Sequence, residues 1–318
     1  MGNQKIIAVL GSTGSQGGGL CHSLLDHPTK GDFGCTAITR DPTKTKAQEL
    51  KNKGAKVLRA DIDDVASLAE AFDGVHGVFA VTNFWEHQSA EREKQQAQNI
   101  ADAAKQAGVK HIVWSTLEDT RQFMPPTDAR MPLLQGNYRV PHLDCKNEAN
   151  EYFRNLPTTY LIASFFWENL YNFQMCPKKS ESGHYVWTMP MGDGKLAGHA
   201  TADIGKVVHA IFANGDEHIG QTIGIATEAL TVQDMCNVVA KEFNVPIQYN
   251  PIEPDTYRTF PFPGAEEIGN NFQYFRDFND EFLKFRSVGS MKELNPNPLS
   301  FADFVSAHRD KIWEAMNT

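Results

Sequence analysis

The nine residues "LGSTGSQGG", Leu10 to Gly18, follow the apolar run Lys5-Ile6-Ile7-Ala8-Val9 and lead into a stretch with helical character. A strand, a turn of small residues and a helix are the parts of a phosphate cradle. Gly11, Gly14 and Gly17 form G-x-x-G-x-x-G. The first glycine permits the tight turn, the second admits backbone close to a pyrophosphate, and the third seats the helix against the strand. Free N–H groups at the positive end of that helix then face the anion.

The rest of the first half fits such a cradle. Short apolar runs at Lys5 to Leu10, Cys35 to Arg40, Ala55 to Asp61, Gly77 to Thr82 and His111 to Thr116 read as strands. Helical segments start between them near Gly17, Thr43, Val65 and Ser89. This alternation predicts an α/β fold, a Rossmann-type doubly wound parallel sheet with helices on both faces. Four prolines between Glu118 and Pro141 break the rhythm and predict a long loop or lid. A helix from His142 to Arg154 and a strand from Thr158 to Ser164 restore it. Beyond Trp167 glycines and prolines mark an irregular region, followed by helices from Thr201 and Thr231, a strand at Gln221 to Ala226 and a last helix capped by Ser300 with Asp303 in its first turn.

The second strand end selects among dinucleotides. An NAD-specific site usually places an acid there to hold the ribose hydroxyls, but Arg40 occupies the position, 23 residues beyond Gly17. Asp41-Pro42 reads as an N-cap and first helical position, which leaves Arg40 to hold a 2′-phosphate. A charge-assisted bond of that kind contributes about 1.5 to 3 kcal/mol, enough to favour NADP(H) over NAD(H). Asp61, closing the third strand, can accept from an adenine amino group while Ile62 covers the ring; Asp63 and Asp64 read as helix-start acids. Thr82, Asn83 and Phe84 close the fourth strand at the sheet edge where ligands cross in doubly wound folds.

Bulk properties exclude other classes. A net charge of −9 over 318 residues argues against direct nucleic-acid binding. No stretch has the roughly 18 apolar residues of a membrane span, so no membrane association and a cytoplasmic, or also nuclear, location are expected. Five scattered cysteines without C-x-x-C spacing predict neither a disulfide framework nor a metal site.

Taken with their order and spacing, "GSTGSQGG", "ITRDP", "ADIDD", "VTNFWE", "WSTLE", "HLDCK", "FFWENL" and, further on, "FPFPGAEEIGNNFQYF" make the chain resemble the NmrA-like family, an atypical branch of the short-chain dehydrogenase/reductases, most closely its NADPH-sensing members. That resemblance implies an NADP(H)-binding Rossmann domain over 1–165, with later contributions from about 199–227. It also implies a smaller α+β domain over 166–318, interleaved with the first, and a dinucleotide lying between the two. It implies cofactor contacts at Gly11, Ser12, Thr13, Gly14, Ser15 and Gln16, at Arg40 and Lys44, at Asp61 and Ile62, and at Thr82, Asn83 and Phe84. Further implied contacts are Lys146 and the run Phe166, Trp167, Glu168 and Asn169.

Active short-chain reductases generally carry Tyr-x-x-x-Lys on one helix face, the tyrosine protonating the substrate and the lysine holding the cofactor ribose. The corresponding pair here is His142 and Lys146. Imidazolium titrates near neutrality, so His142 is a candidate proton donor, yet it is shorter than tyrosine and follows Pro141 directly. A catalytic, a ligand-proximal and a structural role all stay open for it. Ser115 ends the fifth strand, where the superfamily carries a substrate-binding hydroxyl. Two functions are compatible with a full cofactor site beside an incomplete proton donor. One is a redox sensor or transcriptional regulator that presents a cofactor-dependent surface to a protein partner, or to a second copy in a homodimer. The other is an NADPH-dependent reductase of a small carbonyl, enone or quinone.

Overall fold

The computed structural model describes residues 4–26 and 32–318. The chain divides into two compact units. The first comprises Met1–Asp119, His142–Ala163 and Thr201–Ile223, and the second Thr120–Pro141, Ser164–Ala200 and Gly224–Thr318. Residues 120–141 fall in the second unit, inside the stretch assigned above to the first.

In the first unit, strands β1 (Lys5–Val9), β2 (Phe33–Thr39), β3 (Lys56–Arg59), β4 (Gly77–Ala80), β5 (His111–Thr116) and β6 (Thr158–Ile162) alternate with helices α1 (Ser15–Asp26), α2 (Thr45–Asn52), α3 (Val65–Ala71), α4 (Ala90–Gln106) and α5 (Pro141–Phe153). With β11 (Thr222–Gly224) they form a seven-stranded sheet in the order β3-β2-β1-β4-β5-β6-β11, and β1 to β6 all pair in parallel. This is the doubly wound Rossmann-type sheet expected from the sequence, and its strand order reverses between β1 and β4. The crevice outside the carboxyl ends of those two strands is where open α/β sheets take ligands.

Both faces of the sheet are covered, so β4 and β5 are buried at every residue, their side chains alternating between the two faces. On one sheet face Ala8, Ile38, Val78, Ile112 and Trp114 pack with Leu68 and Phe72 and with Ile100, Ala104 and Phe153. The Trp114 and Phe153 rings stack 4.7 Å apart. On the other face α1 meets α7 (Thr201–Ala213) through two glycines, since a Cβ on Gly205 would lie 2.5 Å from the Leu20 nitrogen. Helix backbones can approach that closely only where no side chain intervenes.

The second unit holds β7 (Phe165–Phe166), β8 (Lys178–Lys179), β9 (Tyr185–Met189), β10 (Lys195–His199), β12 (Glu228–Thr231) and β13 (Ile247–Pro251). They form two three-stranded sheets, β12-β10-β7 and β13-β9-β8. Its helices are α6 (Asn169–Asn172), α8 (Val232–Phe243), α9 (Pro254–Arg258), α10 (Ala265–Asp277), α11 (Asn279–Lys284), α12 (Val288–Leu294), α13 (Phe301–Ala307) and α14 (Arg309–Asn317). Thr231 and Asp234 make a reciprocal capping box on α8, and the Ser300 hydroxyl caps α13 by accepting from the Asp303 amide, as its sequence signature predicts.

The proline-bearing stretch is an excursion that folds around one cation. The buried Arg139 guanidinium donates to the carbonyls of Met124 at 3.3 Å and Pro125 at 2.6 Å, and also to those of Met131 and Asp128. Asn270 on α10 donates to the carbonyls of Arg139 at 2.6 Å and Pro132 at 3.0 Å. Backbone carbonyls that a loop cannot pair among themselves are satisfied in this way. Among the described residues no helix is long and apolar enough to cross a membrane.

Candidate functional site

The glycine loop has the geometry that its residues require. Gly11 sits at φ +60°, a left-handed conformation that costs glycine little, and its carbonyl accepts from the Gly14 amide at 2.8 Å. At Gly17 a Cβ would stand 2.6 Å from the Gly11 carbonyl oxygen, so only glycine lets α1 start against β1. Ser12 is buried and its hydroxyl donates to the Ile38 carbonyl at 2.7 Å, which ties the loop to β2. Gln16 accepts from the Ser115 hydroxyl at 2.9 Å, tying the first turn of α1 to the end of β5. Thr13 is reached by Lys46, whose ammonium lies 3.5 Å from its carbonyl oxygen. Ser15 opens α1 at the loop's far side. The loop therefore arrives pre-shaped, ending in a helix N-terminus of the kind that attracts anions.

Beside it, the ends of β2 and β3 border a cavity of about 430 Å³ lined by Arg40, Arg59, Asp61, Asp63, Asp64 and Ser67. Arg40 is not free, contrary to expectation: both its terminal nitrogens pair with the Glu86 carboxylate, one of them at 3.1 Å. Nor does Asp41 cap a helix that starts at Pro42. Helix α2 begins at Thr45 after Lys44, while the Asp41 carboxylate accepts from the Thr43 amide at 2.9 Å and its hydroxyl at 2.6 Å. A tight side-chain turn satisfies the carboxylate locally, so the helix starts three residues later.

Asp61 likewise accepts from the Asp63 amide at 3.0 Å. Of the two acids expected at the helix start, Asp64 caps α3 through the Ala66 and Ser67 amides, whereas Asp63 pairs with Arg92 at 2.7 Å and Gln96 at 2.9 Å. Ile62 is half-buried, its carbonyl accepting from Asn99 at 2.9 Å. Arg59 went unnoticed in the sequence because it ends a short strand that carries no motif. Two guanidiniums and the loop amides are donors suited to phosphate; the surrounding carboxylates oppose it unless their cations change partners.

The third part of the site lies at the end of β4 and the start of α5. Lys146, 8% exposed, points its ammonium at the fully buried Glu93 at 2.7 Å and donates to the Thr82 hydroxyl at 2.6 Å and its carbonyl at 3.3 Å. The Thr82 hydroxyl donates in turn to Glu93 at 2.6 Å. The His87 ring stands on the carboxylate's other side, Nε2 3.3 Å from it. His87 Nδ1 accepts from the Ser89 amide at 3.1 Å, while its Nε2 and Glu93 Oε2 approach without the geometry of a hydrogen bond. Burial alone raises a carboxyl pKa, but the Lys146 ammonium, the neighbouring His87 ring and the bonds from Lys146 and Thr82 outweigh it and hold Glu93 at about 2. Glu93 escaped notice because a charged residue in the first turn of α4 looks like an ordinary helix-start acid.

Asn83 precedes a short 3-10 turn, Phe84–Glu86. Phe84 is buried, and His142, the second residue of α5, packs against Trp85 and Phe84 with ring centres 5.0 and 6.0 Å away. The turn thus carries Glu86 to Arg40 and Trp85 to His142. Phe166, Trp167, Glu168 and Asn169 lie in the second unit. There the Trp167 ring is buried edge-on against Phe301, 5.4 Å away, and Asn169 begins α6.

Residues 3–305 match the NmrA-like family. An NmrA-like family domain-containing oxidoreductase of Penicillium ochrochloron, ptmS, is 29% identical over 96% of this chain and 94% of its own. Among solved structures, NmrA, a negative transcriptional regulator, in complex with NADP superposes with a TM-score of 0.77 at 20% identity, covering 96% of this chain and 95% of its own. The same regulator in complex with NAD gives 0.76 at 19% identity, over 96% of this chain and 95% of its own. The NADP(H) complex of Citrobacter sp. triphenylmethane reductase gives 0.73 at 16% identity, over 98% of this chain and 99% of its own. With the family's pattern running through nearly all its length, the chain belongs to the NmrA-like family.

Proposed function

We propose that this protein binds NADP(H) in its first unit and acts as a redox sensor, its surface for a protein partner depending on which cofactor form is bound. The observation that carries this is the closed pair of Lys146 and Glu93 behind a helix that offers His142 where reductases place tyrosine. The bound dinucleotide would supply or accept a hydride. Around it the glycine loop would hold the pyrophosphate, Arg40 and Arg59 a 2′-phosphate, and Lys146 the ribose next to Thr82.

A reductase needs a group that delivers a proton to the substrate oxygen, worth about 10² to 10⁴ in rate. Lys146 spends its ammonium on Glu93 and Thr82, and His142 lies against Trp85 at a helix start. Neither arrangement supplies what Tyr-x-x-x-Lys supplies. Reduction of a small carbonyl, enone or quinone is the second reading, favoured by the relative named an oxidoreductase. Quinones and some enones need little help from a placed phenol.

The test is NADPH oxidation against a panel of quinones, enones and aldehydes, with NADPH affinity measured by calorimetry on the same preparation. Tight binding without turnover is expected. Saturable turnover that disappears in a folded Glu93→Gln/Lys146→Met variant would make the protein a reductase.

A further inference from the structure

The end of β2 is occupied by a carboxylate of the protein's own. Glu86 faces Arg40 with both oxygens, as a phosphate would, and the contact is exposed on both sides, at 61% for Arg40 and 44% for Glu86. Exposed pairs are held loosely, with net strengths of about 0 to 1 kcal/mol. A doubly charged 2′-phosphate makes stronger charge-assisted bonds to the same guanidinium and can take it over. The carboxylates of Asp61 and Asp63 also act on Arg40 and oppose an incoming phosphate.

Glu86 does not stand alone on its turn. Trp85, the residue before it, packs on His142 at 5.0 Å, and Phe84 lies 6.0 Å from the same ring. Thr82, just before the turn, holds Lys146. Releasing Glu86 therefore loosens the turn at one end while its other end stays fixed by buried Phe84 and Thr82.

On the strength of the NADP(H) reading above, we infer that Glu86 is an internal stand-in for the 2′-phosphate, and that phosphate binding at Arg40 displaces it and shifts the Trp85 contact on His142. Glu86 sets two properties at once. It lowers affinity for NADP(H) by a modest factor without touching NAD(H), and it makes the α5 start responsive to the phosphate alone. A cofactor lacking the 2′-phosphate leaves the Arg40–Glu86 pair closed.

The experiment uses the full chain, oxidised NADP and NAD as probes, and three variants: Arg40→Ala, Glu86→Gln and Trp85→Phe. The inference expects Glu86→Gln to tighten NADP about two- to five-fold and leave NAD unchanged. It also expects NADP, but not NAD, to change the tryptophan emission of the wild type, with the change lost in both Trp85→Phe and Glu86→Gln. Unchanged or weakened NADP affinity in Glu86→Gln, or an emission change equal for the two cofactors, overturns it. Arg40→Ala separates the two claims. If that variant weakens NADP alone while Glu86→Gln has no effect, the phosphate site stands and the stand-in falls. If Arg40→Ala leaves NADP untouched, the 2′-phosphate reading falls as well.

Discussion

Replacing Glu93 with glutamine keeps the shape of the side chain and an acceptor for Thr82 but removes the charge that Lys146 faces at 2.7 Å. Its fully buried carboxylate sits at a pKa of about 2 against an ordinary 4.5. At 1.36 kcal/mol per pKa step the displacement amounts to about 3 kcal/mol of folded-state stability. Removing one partner of a buried pair costs about 3 to 5 kcal/mol by an independent route, because the remaining ammonium is left without compensation. Since the folded pKa is depressed, the contribution is complete above about pH 4.5 and is lost as the pH falls towards 2. Urea unfolding followed by circular dichroism should therefore place Glu93→Gln about 3 to 4 kcal/mol below wild type at pH 7, with the gap narrowing below pH 4.5. Adding Lys146→Met should recover most of the loss, since a neutral buried pair has no charge to desolvate. A single-variant cost under about 1 kcal/mol at pH 7, or a gap constant from pH 7 to pH 3, would refute the assignment of Glu93 as the counter-ion of Lys146.

Two more expectations concern the frame around the site. Gly205→Ala brings a Cβ to 2.5 Å from the Leu20 nitrogen, so α1 and α7 must separate; a loss of about 1 to 3 kcal/mol should appear as a lower urea midpoint, and an unchanged midpoint would contradict the close crossing. Arg139→Met strands the carbonyls of Met124, Pro125, Asp128 and Met131, so limited proteolysis should cut within residues 120–141 far faster than in wild type, with equal rates arguing that the guanidinium does not hold the excursion.

What the sequence determined by itself was everything written in local periodicity and turn chemistry. The first six strands and the helices between them follow from apolar runs and their caps. Gly11 and Gly17 were legible because a left-handed turn and a helix seated on a strand each exclude a side chain. The short strands of the second unit, β7 to β10 with β12 and β13, stayed hidden because two- to five-residue strands among glycines and prolines carry too few residues to show a period. The tertiary structure alone decided which charges meet. Arg40 and Glu86 are 46 residues apart in sequence and Lys146 and Glu93 53 apart, and no local pattern states that a guanidinium at one strand end will find a carboxylate on the next turn but one. Asp41 is the opposite case, a local one, where competition between a helix cap and a tighter side-chain turn was settled by Thr43 two residues on. Periodicity fixes which face of an element is buried, because burial repeats along the chain; the pairing of particular polar groups depends on where the sheet brings its strand ends together, and only the folded chain sets that distance.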